Sequence, residues 1–335
     1  MLYTGICHSS FIELKILGYY NKTIEAKGAV YMPLSIFGFQ ALWSPYLIGV
    51  ILFLIAIYFI VTCLWRKDFE VSEPLKIREA IYFLLAMAIL YVVKGSPIDL
   101  LGHIMFTWHM VQMAVLLLLV PVLLIKGIPW WVWQALFKIS IVHRIVYFLT
   151  QPVAALILFV SMFSFYHIPS IFDAVKMDET THGLYTFYLF LAAVLMYWPM
   201  MNNIEGQRKM KNIHKLAYIA GNAVLITPAC ALIIFASAPL YETYSNPDVW
   251  MKAMELCVPA NTLSGLTLSG PELFTNLSAV ADQQIGGVLM KIIQEIIFGV
   301  ILFKVFREWW NSERKDPDEI TRNALKEFQN RQYIQ

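Results

Sequence analysis

Residues 102–113 read GHIMFTWHMVQM, and residues 114–125 continue as AVLLLLVPVLLI without a single charge. A helix needs roughly 20 apolar residues to cross the hydrocarbon core of a bilayer, so the run 101–125 is long enough to span one. Its first half nevertheless carries His103, His109, Gln112 and the methionines Met105, Met110 and Met113. Polar side chains are costly inside a membrane and mark functional positions there by default.

The rest of the chain has the same character. Of 335 residues, 59% are hydrophobic and 14% charged, against about 25% charged in an ordinary soluble domain. The apolar residues come in blocks near 46–65, 79–94, 101–125, 145–167, 182–201, 215–240 and 284–306. The predicted fold class is therefore an all-α, polytopic membrane helical bundle of about seven transmembrane helices. The division is a leader over 1–31, a membrane domain over 32–306, and a tail over 307–335.

Lys and Arg set the predicted orientation. One set of connections, with the tail, holds 18 of them, and the opposite set holds six. That puts the C-terminus in the cytoplasm and, with seven spans, the N-terminus outside. Trp65, Trp130, Trp131, Trp133, Trp198, Trp309 and Trp310 fall at the inner boundary, where an aromatic belt is expected. A net charge of +2 without a basic patch gives no reason to expect nucleic acid as a partner; the lipid bilayer is the expected surrounding. Cys7, Cys63, Cys230 and Cys257 form no CxxC or CxxxC, which argues against a disulfide framework and a thiolate metal site.

Residues 1–31 lack the apolar core of a signal peptide. They read either as an overlong start, with Met32 as initiator, or as an outer extension. KGIPWWVWQALFKISIVHR (126–144) reads as an aromatic segment along the inner interface, and NPDVWMKAMELCV (246–258) as a short outer helix opened by Pro247 and Asp248. In the tail, Ile320, Ala324 and Phe328 recur at the spacing of an amphipathic helix. No internal repeat emerges, which weakens a transporter reading.

On one straight helix, Met105, His109 and Met113 form an imidazole–thioether stripe at i−4, i, i+4, while His103 lies about 120° away. Imidazole and thioether suit copper, Met being suited to Cu(I); methionines are also common gap-fillers between helices. His167 ends the fourth span before Pro169, and His182 begins the fifth after Thr180 and Thr181, which read as N-cap residues. His103, His167, His182 and, on the seventh span, Asp282 therefore share the outer rim. Either they form a metal-binding cluster with His109 and Met113, or they are polar helix ends at the water boundary. Gly286 and Gly287 are expected to allow close helix approach. Lys291 and Glu295 lie one turn apart deep in the seventh span, where pairing is the expected remedy for their charge. Asn222 is read as an interhelical hydrogen-bonding residue.

HMVQMAVLLLLVPVLLIKGIPWW resembles the third span of the CtaG family, assembly factors for caa3-type cytochrome c oxidase in Gram-positive bacteria. FYHIPSIFD, HGLYTFYLFLAAVLMYWPM and ADQQIGGVLMKI resemble later elements of that family in the same order, over 32 to about 306. The resemblance implies a seven-span plasma-membrane protein without catalytic turnover, oxidase subunits as partners, and a role in copper delivery or insertion. It maps the family's outer polar residues onto His103, His109, His167, His182 and Asp282. Where many members read HMxQH, this chain has Met113 in place of the second histidine, which favours Cu(I) or removes the position from the ligand set. Two alternatives are a membrane haem or quinone protein, since paired histidines can hold haem, and an ion conductor using Lys291 and Glu295.

Overall fold

The computed structural model describes residues 32–202, 210–255, 258, 260–263 and 269–332, and mainly the backbone beyond 311. The leader over 1–31, Cys7, Cys257 and the charges Arg208 and Lys209 lie outside the described residues. All regular structure among the described residues is helical, without strands.

The first membrane helix, α1 (Pro45–Phe59), starts where Ser44 accepts a hydrogen bond from Leu47 N–H, 3.2 Å, with Pro45 in the first turn. Proline is favoured there because its missing N–H would be unsatisfied anyway. A π-helical turn, Ile60–Leu64, extends it. The second helix, α2 (Ile77–Gly95), begins with Lys76 N–H donating to Glu79, 3.1 Å, three residues on.

The third expected span does not begin at 101. Pro97 forces Ser96 into an extended conformation, and a separate helix, α3 (Pro97–Ile104), continues α2 with a bend of 44°. Met105 is extended, with φ −130° and ψ 136°, and the central span follows as α4 (Phe106–Ala114), a π-helical turn at Val115–Leu119, and α5 (Val120–Gly127). The π turn sits just before Pro121, whose missing N–H interrupts the regular ladder.

The chain folds back at Met105. Gly102 and His109 would be about 10 Å apart along a straight helix, yet a methyl group on Gly102 would stand 3.4 Å from His109 Cα. The stripe expected from a straight helix is therefore broken. Met105 packs with Phe37, Leu100 and Trp250, and Met113 lies in the main core.

Two helices, α6 (Trp130–Phe137) and α7 (Ser140–Leu149), form the aromatic connection with a bend of 110° between them. The fourth span is α8 (Pro152–Tyr166), followed at 78° by α9 (Pro169–Lys176). Residues 145–149, expected in that span, belong to α7 instead, because Pro152 opens a new helix. The fifth span, α10 (Glu179–Met201), is capped not by Thr180 or Thr181 but by Asp178, whose carboxylate accepts from Thr181 N–H, 2.7 Å. Then come α11 (Asn212–Ile234) and the short α12 (Pro247–Met254), which opens at Pro247 as expected, with Asn246 as its N-cap. Last is α13 (Ala279–Gln332), a 54-residue helix about 80 Å long that joins the seventh span to the tail without a break.

Among the described residues, five helices are long and apolar enough to cross a membrane unaided, and up to eight spans result if each bent pair is one. The pairs α2–α3 and α8–α9 contain the expected second and fourth spans and bring the number to seven; the third bent pair is the aromatic connection α6–α7. Large apolar side chains such as Leu52, Phe53, Val224 and Phe303 are exposed on the outside of the bundle. Lipid rather than water suits such a surface.

The segment α4–α5 is the most buried of the five membrane helices. It packs on α13 through Gly286, where a methyl group would come within 3.1 Å of Thr107 Cα. Gly287 faces α11, its Cβ position 2.8 Å from Ile234 Cγ1, so both glycines act as the sequence suggests. Asn222 on α11 bonds across to the Met196 thioether on α10. Lys291 and Glu295 pair at 2.7 Å, and Lys291 also donates to Thr227 on α11, 2.8 Å.

Candidate functional site

The polar residues of interest collect where α3, α4, α8, α9 and α10 meet under the segment from 240 to 254. Asp173 on α9 anchors that segment by accepting from Glu242 N–H at 3.0 Å, Thr243 N–H at 3.1 Å and the Thr243 hydroxyl at 2.8 Å. Tyr241 then donates to His167 O, 2.9 Å, and Tyr244 to Gly102 O, 2.6 Å. Both tyrosines are buried.

His109 lies beneath this cover, 1% exposed. Its ring meets Phe172 edge-on with centroids 5.2 Å apart, and neighbours Tyr166 at 5.9 Å and Tyr244 at 6.4 Å. Neither ring nitrogen has a hydrogen-bond partner. An unsatisfied buried polar group costs about 1–3 kcal/mol, so this imidazole is unusual.

His167 caps the end of α8. Its Nδ1 lies 2.7 Å from Phe163 O. A carbonyl only accepts, so Nδ1 carries the proton and Nε2 keeps a free lone pair. That nitrogen is buried and unpartnered, as is the hydroxyl of Tyr166, whose ring sits 5.3 Å from that of His167. Tyr166 thus touches both His109 and His167, and all three present unsatisfied polar atoms.

His103 and His182 form a second pair, ring centroids 5.7 Å apart. Lys176, 1% exposed, places its Nζ 3.3 Å from His103 Nδ1 and 5.6 Å from the Tyr244 ring centroid. An ammonium only donates, so His103 Nδ1 accepts and its Nε2 carries the proton. This pair is therefore arranged differently from His109 and His167, with a buried cation beside it.

Asp282 is used in another way. Its carboxylate accepts from Phe106 N–H at 2.6 Å and Thr107 N–H at 3.1 Å, and its carbonyl accepts from the Thr107 hydroxyl at 2.8 Å. It caps α4 across the bundle, supplying acceptors that the first turn of a helix lacks. Gln112, one turn below His109, donates to Val93 O and to Asp99, the latter at 2.6 Å, and Asp99 also pairs with Lys94 at 2.6 Å.

The structure thus divides the six residues suggested by the sequence. His103 and His182 adjoin Lys176, His109 and His167 share Tyr166, Met113 is buried in the core, and Asp282 holds a helix start. Among the described residues, no three His, Cys, Asp or Glu side chains lie close enough to hold one metal ion together. Tyr166, Lys176 and Tyr244 were not anticipated. Tyr166 precedes His167 directly in FYHIPSIFD, but an aromatic in an apolar run gives no sign of its partners. Lys176 is one of the six Lys and Arg counted in the connections opposite the tail, yet it is buried.

The family model for the cytochrome c oxidase caa3 assembly factor, Caa3_CtaG, matches residues 56–312. The chain belongs to this family. The match runs from the last turn of α1 to the membrane part of α13 and takes in the membrane-spanning helices between them, with the polar residues of the site. Two uncharacterized proteins, from Mycobacterium bovis and Mycobacterium tuberculosis, are each 20% identical over 270 residues, covering 74% of this chain and 36% of their own length. The chain spans little more than a third of these relatives. No solved structure matches this member of the family.

Proposed function

We propose that this protein assists assembly of cytochrome c oxidase by holding copper transiently at His109 and His167, at the outer face of the plasma membrane. One observation carries the reading: the ring nitrogens of His109, Nε2 of His167 and the hydroxyl of Tyr166 are buried together without partners. Lone pairs kept dry and unsatisfied are suited to a metal ion, and two imidazoles with few other donors suit Cu(I) better than ions needing more ligands. Met113, one turn beyond His109 on α4, adds a thioether nearby in the same rod. Copper here is cargo, and the oxidase subunits that receive it are the partners. The paired His103 and His182 contribute less, because the Lys176 ammonium opposes a second cation there.

The test is copper retained by the purified protein after loading with Cu(I) under reducing conditions. His109→Ala and His167→Ala are each expected to lose most of the bound copper, whereas Asp282→Asn keeps it. Equal copper in all three folded variants removes the metal from the proposal. Oxidase activity in cells lacking the protein, with and without added copper, then separates metal supply from scaffolding.

A further inference from the structure

At the end of the bundle opposite the histidines lies a chamber with a volume of about 610 Å³. Four lysines from four parts of the chain line it: Lys76 before α2, Lys126 on α5, Lys215 on α11 and Lys304 on α13. Glu79 and Glu308 are the carboxylates in its wall, so the lining carries a positive excess. Lys76 is engaged by Glu73, 2.9 Å away, and Lys126 lies 6.0 Å above the Tyr82 ring centroid. Lys126, Lys215 and Lys304 form no ion pair among the described residues.

Part of the wall is apolar. Val122, Ile125, Ile301 and Val305 continue the chamber along the membrane helices. Trp130, Trp133 and Trp198 also line it, and tryptophans are enriched at a membrane boundary.

We infer that this chamber binds one anionic phospholipid, its phosphate between Lys126, Lys215 and Lys304, and its chains along α5 and α13. Basic pockets between membrane helices are suited to anionic headgroups. A soluble phosphate compound would satisfy the lysines and leave the apolar wall bare. An acidic peptide would do the same. A neutral phospholipid would fill the apolar wall and leave the positive excess uncompensated. The volume is within the range of small-molecule sites, roughly 300–1,000 Å³, and far below what a partner helix would occupy.

The experiment uses the full-length protein in neutral detergent, titrated with phosphatidylglycerol or phosphatidylcholine and read by native mass spectrometry. Phosphatidylglycerol is expected to bind one-to-one and at least about tenfold more tightly. Each lysine near a phosphate contributes about fivefold, so Lys126→Gln with Lys304→Gln should weaken it about 30-fold. Lys252→Gln, on α12 at the other end, should leave it unchanged. Equal affinity for the two lipids overturns the inference, as does a folded double variant that binds like the original. Displacement by millimolar inorganic phosphate, or by an acidic peptide, overturns it in favour of a soluble ligand. If the double variant does not fold, raising the salt on the unaltered protein decides: phosphatidylglycerol alone must weaken, and no salt effect sinks the idea.

Discussion

Lys176 Nζ stands 3.3 Å from His103 Nδ1, and both side chains are buried. Two unit charges about 5 Å apart at an effective dielectric of ~20 repel by about 3 kcal/mol. A copper ion on His103 would therefore be weakened more than a hundredfold by this ammonium. Replacing it with a neutral chain of similar shape, Lys176→Met, should let His103 and His182 take up metal. The expected result is an additional equivalent of bound Cu(I), lost again on His182→Ala. Copper content that does not rise in the folded Lys176→Met protein would show that the lysine is not what opposes a cation at this pair.

Asp282 joins α13 to the start of α4, accepting from two backbone N–H groups. With Asp282→Ala both donors are orphaned in a buried setting, each costing about 1–3 kcal/mol. Asp282→Asn keeps one acceptor oxygen and should lose about half as much. Unfolding followed by increasing SDS in mixed micelles should order the three proteins accordingly. Copper per folded molecule should stay the same in all of them, which distinguishes a helix cap from a ligand.

The contrast between these two residues shows what was readable in the sequence. Apolar runs such as AVLLLLVPVLLI made the membrane helices legible, because length and hydropathy alone decide what can cross a bilayer. His109 stood out for the same reason, as a polar group at a costly place. The break at Met105 did not, since Met carries no turn signal and the reversal depends on Trp250 and Tyr244, more than 130 residues later, gripping Ile104 O and Gly102 O. Asp282 had the right chemistry for a metal, but its partners are backbone groups that no motif displays. Nothing in the sequence marks Lys176 for burial, because its place beside an imidazole arises only from how α9 folds back at 78°.

Gly127, at the end of α5, lies against α2 so closely that a methyl group would come within 2.5 Å of Phe83 N and 2.7 Å of its Cα. Backbone does not yield as a side chain tip does. Gly127→Ala must push α2 and α5 apart and strain the hydrogen bond from Tyr58 to Gly127 O, 2.9 Å. A loss of about 1–3 kcal/mol is expected from such overpacking. Gly299 on α13 faces open space, so Gly299→Ala should be neutral or gain up to about 1 kcal/mol from helix propensity. The same SDS titration compares them, and a Gly127→Ala protein as stable as the original would contradict this packing.

Lys291 and Glu295 share a 2.7 Å ion pair on the membrane part of α13. A single charge at mid-bilayer costs roughly 2.5–3.5 kcal/mol on insertion scales. Glu295→Gln leaves Lys291 with the Thr227 hydroxyl alone, 2.8 Å away, and should destabilise the bundle by about 1–3 kcal/mol. The double change, Lys291→Met with Glu295→Leu, removes both charges and should recover most of that loss. If the pair served an ion route instead, the double variant would be stable yet inactive in oxidase assembly. Restored stability together with normal oxidase activity in cells assigns the pair to holding α13 against α11.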